Sequence, residues 1–140
     1  MNDTIQSNSI QINSLQFGAI EVEPHNIFFF KDGILGFEDL RDFVLINAED
    51  TAPFKWLISV ENPDIGFPLI SPWLIDLSYA PGPNIDLSKE VPMVVITLGG
   101  ESGKMTANLK APVILDVEAQ TGSQTILPSD KYSTNYVLNK

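Results

Sequence analysis

The chain has 140 residues, 44% of them hydrophobic, which suits one domain with a single substantial core and excludes a disordered tail protein. It has no cysteine, which excludes a disulfide framework or a thiolate metal site. A formal charge of −10 repels nucleic-acid phosphates and anionic membrane, so direct binding to either is not expected, whereas basic protein partners are attracted.

The opening MNDTIQSNSIQIN carries no basic start followed by an apolar block, so no secretory signal is expected, and residues 1 to about 8 read as a loose tail of one domain spanning 1–140. Ile10, Ile12 and Phe17 to Val22 predict an opening strand or hairpin, with Gly18 at the bend. Ile27 to Phe30 is apolar on both faces, and such runs are far too short to span a bilayer as a helix. Phe37 to Asp42 is the one place where a helical turn is expected. Phe43 to Ile46 reads as a strand, and Phe54, Trp56, Ile58 and Val60 alternate as a strand with one buried face requires. Ile65 to Ile70, Trp73 to Tyr79, Val91 to Leu98, Ala111 to Val117 and Gln124 to Leu127 complete the predicted strands. Turn signals rich in Gly, Pro, Asn and Asp separate them, and ten prolines argue against long helices. The fold class is therefore all-β, a small antiparallel sandwich or partly closed barrel with little helix.

VVITLGGESGKMTANLKAP, Val94 to Pro112, invites a nucleotide-binding reading because a strand enters a glycine-rich loop and meets Gly103-Lys104. A phosphate-binding loop needs a glycine five positions before Gly103, where Leu98 stands, and a hydroxyl after the lysine, where Met105 stands. It also needs a helix to follow, yet Pro112 and the β-branched residues beyond it favour a strand. The loop is expected to join two strands as a hairpin.

Other catalytic arrangements are thin. His25 is the single histidine and follows Pro24 in a turn-like stretch, with no serine or cysteine motif near it. Glu21 and Glu23 read as solvated carboxylates on one strand face. Glu38, Asp39 and Asp42 cluster where a helix N-terminus would favour them. No calcium loop and no zinc ligand set can be assembled, and no cofactor is expected. Phe28, Phe29, Phe30, Phe54 and Trp56 have core spacing. Phe37 and Trp73 sit beside turns, where a partly exposed aromatic can anchor a protein partner.

The order of motifs carries a resemblance. Gly33-Ile34-Leu35-Gly36-Phe37, Asn62-Pro63-Asp64-Ile65-Gly66-Phe67 and Thr106-Ala107-Asn108-Leu109-Lys110-Ala111-Pro112, with Gln124 to Leu127 and Tyr132 behind them, together resemble the FliW family of flagellar assembly factors from about Leu15 onward. The resemblance implies a small β-barrel-like cytoplasmic protein without enzymatic activity. It implies binding of flagellin and, in a mutually exclusive way, of the RNA-binding translational regulator CsrA, whose repression of flagellin translation is then relieved. Phe37, Asp64, Trp73, Asn108 and Lys110 are the expected protein contacts, and Asn108 is also expected to tie down its own loop. Leu35, Ser71, Asp116 and Asn135 depart from the family pattern; Leu35 stands where that turn usually has proline. The alternative from another class is a small-molecule-binding β-barrel, which would need a deep apolar pocket lined by the strand aromatics.

Overall fold

A computed structural model describes residues 10–99 and 103–139; the predicted loose tail at residues 1 to 8 lies outside the described residues. Among the described residues there are eleven strands: β1 (Ile10–Ser14), β2 (Gly18–Val22), β3 (Ile27–Phe30), β4 (Asp42–Ile46), β5 (Lys55–Ser59), β6 (Gly66–Ile70), β7 (Glu90–Leu98), β8 (Met105–Ala107), β9 (Val113–Asp116), β10 (Thr121–Gln124) and β11 (Tyr136–Val137). Among the described residues helix is limited to single 3-10 turns at Pro24–Asn26, Glu49–Thr51 and Pro72–Leu74.

The sheet runs β7-β6-β5-β4-β3-β10-β9, and β9 returns to β7, so these seven strands close into a barrel. Closure leaves β3, β4, β5 and β10 of the wall with a strand partner on each side. Every pairing in the wall is antiparallel except β3 with β10. The long β7 serves two neighbours in turn, β9 through Glu90 to Met93 and β8 through Ile96 to Leu98.

Three apolar clusters follow from strand alternation. Phe28, Phe30, Phe43, Leu57, Leu69, Met93, Val113 and Leu115 fill the barrel. The β1–β2 hairpin lies over the outer wall, where Ile12 and Val22 meet Val44 and Ile58, with Trp56 and Val60 packed alongside. On the other flank the segments after Ile70 and after Leu127 bury Tyr79, Val94, Ile96, Leu109 and Tyr132. The wall is thus apolar on both sides. That corrects the one-faced reading of β5: Leu57 faces the interior while Ile58 lies under the hairpin, and both are fully buried.

Other expectations shift locally. Phe29 is 45% exposed rather than core, because Phe28 and Phe30 take the inward positions of β3. Phe37 to Asp42 forms turns, not a helix. The Glu38 carboxylate accepts the Gly36 N–H at 3.0 Å, and Asp42 opens β4. Gly33 has φ +67°, and a Cβ there would lie 2.6 Å from the Glu38 Cα, so the turn depends on glycine. Trp73 to Tyr79 is no strand: Pro72 starts a 3-10 turn, and Asp76 accepts the Ser78 N–H at 2.9 Å and its hydroxyl at 2.7 Å, curling the backbone. The strand expected at Gln124 to Leu127 ends at Gln124, having begun at Thr121.

Candidate functional site

The predicted hairpin loop includes residues 100–102, which lie outside the described residues; on either side of it Leu98 of β7 lies opposite Met105 of β8. Met105 begins a strand, so the helix that a phosphate loop requires is replaced by a hairpin arm. No group of three or more His, Asp or Glu able to hold a metal occurs among the described residues.

The notable break in the wall lies between β6 and β7. Ser59 N–H donates to the Ile65 carbonyl at 3.0 Å. By antiparallel alternation Ile65, Phe67 and Leu69 then present their backbone groups to β5, while Gly66, Pro68 and Ile70 present theirs to β7. Asn108 N–H donates to the Val95 carbonyl at 3.0 Å, so Val95 and Thr97 face β8, while Val94, Ile96 and Leu98 face β6. The ladder runs Ile70 with Val94 and Leu69 with Val95, then stops. The next pair would set Pro68 opposite Ile96, and proline has no N–H to donate.

Beyond that stop a groove of about 510 Å³ opens, lined by Gly66, Phe67 and Pro68 on one side and Val95 to Leu98 on the other, with Gln16, Trp56, Leu35, Asn108 and Gln124 around it. It continues past Trp56, Pro68, Ile96 and Leu98 into a depression of about 360 Å³ bordered by Asp50 and Met105. At its other end Leu35 and Gln124 lead to one of about 300 Å³ beside Lys31, Asp32 and Glu38. Glu38 is held below the usual carboxylate range, first by the Gly36 N–H.

The five predicted contacts do not form one patch. Asn108 lines the groove, and its side chain accepts the Ala111 N–H at 3.0 Å, the loop tie expected of it. Phe37, 36% exposed, stacks edge-on against Phe67 of the groove wall at 5.1 Å. Asp64 is exposed in the β5–β6 turn. Trp73 packs on the outer cluster and donates Nε1–H to the Tyr79 carbonyl at 3.0 Å. Lys110 donates to the Ser129 carbonyl at 2.8 Å, near Asp130.

Gln124 was missed by sequence reasoning. Its Nε2 donates to the Ala111 carbonyl at 2.9 Å and its Oε1 accepts the Leu35 N–H at 2.9 Å, so it holds two loops against the groove. That bond also explains a departure from the family pattern, because a proline at position 35 would have no N–H to give.

Fold and groove define a class: a small closed β-barrel whose interior is filled and which carries an open groove on its wall. The family model described as FliW protein matches residues 11–138. The flagellar assembly factor FliW of Thermoanaerobacter pseudethanolicus is 39% identical over 134 residues, covering 88% of this chain and 89% of that protein. Its counterpart from Caldanaerobacter subterraneus is 35% identical, with coverage of 88% and 89%. A crystal structure of the flagellar assembly factor FliW superposes with a TM-score of 0.83 at 30% identity, covering 94% of this chain and 98% of that one. The chain belongs to the FliW family.

Proposed function

We propose that this chain is a flagellar assembly factor that acts by holding proteins: it binds flagellin in the cytoplasm, and when flagellin is exported it sequesters CsrA, lifting repression of flagellin translation. In this reading it performs no covalent chemistry. The observation that carries the proposal is family membership across residues 11–138. The charge of −10 agrees with it, since an RNA-binding partner presents basic surface and an acidic antagonist can meet it without binding RNA itself. Phe37, Asp64, Trp73, Asn108 and Lys110 are proposed as contacts.

Against the small-molecule alternative, Phe30, Phe43, Leu57 and Leu69 occupy the barrel interior, where a ligand of a barrel protein would sit. The test is competition between purified proteins. Flagellin and CsrA should each bind at micromolar concentration, each displacing the other by the same free-energy coupling, and CsrA association should slow with added salt. Binding of neither protein, or simultaneous binding without mutual weakening, would overturn the proposal.

A further inference from the structure

The seam between β6 and β7 is a built place for a strand. Across it Gly66 and Pro68 face Leu98 and Ile96 with no ladder pairing beyond Leu69 and Val95, although on the other side Gly66 to Leu69 pair with β5 and Ile96 to Leu98 pair with β8. Backbone groups aimed into a groove whose floor is largely apolar are what an added strand satisfies, by main-chain bonds for affinity and alternate side chains for selection. The depression at the Asp50 end has one charged lining residue, a carboxylate; Glu49 beside Asp50 and Lys104 beside Met105 are exposed at its border. The opposite end mixes Lys31 with Asp32 and Glu38.

We propose that the β6–β7 groove takes an extended segment of a second protein, added as a strand along Ile96 to Leu98, with its alternate apolar side chains on the outer, Trp56 face of the wall and a basic residue at the end beside Asp50. The inference goes beyond the flagellin and CsrA reading and stands or falls without either protein.

The test uses the full chain and a synthetic probe, an acetylated and amidated Thr-Val repeat of eight residues with one arginine at each end, titrated by amide NMR. The Gly66 and Leu98 resonances should shift and saturate at or below about 1 mM, the range of a weak peptide contact. Two N-methylated probes should differ. Methyl groups on the bonding edge should abolish the shifts, and methyl groups on the outer edge should leave them. Asp50→Lys, at an exposed position, should weaken binding about tenfold and remove its salt dependence. Pro68→Val supplies the missing N–H opposite Ile96; it should slow amide exchange in the seam and lower probe affinity by about tenfold or more. If Pro68→Val does not fold, the methylated probes and Asp50→Lys still decide. Absence of saturable shifts, shifts centred elsewhere, equal binding of both methylated probes, or preference for an amphipathic helix of the same charge would overturn the proposal.

Discussion

The β3–β10 junction and the β6–β7 seam are both joints in one barrel wall, and they are opposite in character. At the first, β10 lies so close to β3 that the Phe30 ring occupies the space a side chain at position 122 would take. At the second, a proline ends the ladder after two pairs and a groove opens. One glycine permits contact and one proline prevents it. The lesson is that barrel closure and barrel access are each set by one residue lacking something: Gly122 a Cβ, Pro68 a donor.

Gly122→Ala attacks the tight joint and carries the largest expected effect. A methyl there must displace Phe30, which is fully buried in the barrel, so the variant should lose about 3 kcal/mol in urea unfolding or fail to fold. A loss under about 1 kcal/mol would mean that β10 can shift away from β3 at little cost, and the contrast between the joints would weaken.

Gln124→Ala reaches both regions, since Gln124 belongs to β10 yet lines the groove. It strands the carbonyl of buried Ala111 and frees the Leu35 N–H, for an expected cost of about 1–2 kcal/mol. Asn108→Ala removes one bond, to the Ala111 N–H, and should cost about 1 kcal/mol. Melting temperature and partner affinity measured together separate its roles. Equal losses assign Asn108 to the loop, while lost affinity at unchanged melting assigns it to the interface.

Much of the wall was legible because long apolar strands declare themselves: Phe43 to Ile46, Ile65 to Ile70 and Val91 to Leu98 fall within a residue or two of β4, β6 and β7. Short strands did not. Met105–Ala107 and Tyr136–Val137 are held by register with neighbours rather than by pattern, and the apolar run Trp73 to Tyr79 is folded by Pro72 and the Asp76–Ser78 turn into packing over Val94 and Ile96. The site was harder still. Asn108 and the glycine turns before Phe37 could be named from the resemblance, but Gln124 acts on loops at Leu35 and Ala111 that no local pattern connects to it. Pro68 takes its meaning only from the alternation on both sides of it, which sets it opposite Ile96.

The smallest effect lies on the well-paired side of the wall, where β4 meets the turn after β5. Glu61 accepts the Arg41 N–H at 3.0 Å and the Asp42 N–H at 3.1 Å, which brings its carboxylate beside that of Asp42. Partial burial, and then the Glu61 charge, raise the Asp42 carboxyl above the ordinary aspartate range. The folded protein therefore holds that proton more tightly than the unfolded chain, and stability falls as pH rises from the ordinary aspartate value through the raised one. Asp76 and Asp86 work in the opposite sense: the hydroxyls of Ser78 and Ser88 lower them, so what they contribute is lost as pH falls. Asp42→Asn isolates the first effect. Its stability relative to the parent should be pH-independent and near its minimum below the ordinary aspartate value, rise through the raised one and level off above it, with a gain of a fraction of a kcal/mol because solvent screens the pair. Urea midpoints of both proteins across mildly acid to neutral pH give that difference directly. A difference that stays flat would mean that neither burial nor Glu61 raises the Asp42 carboxyl, and that Glu61 serves only the backbone of β4.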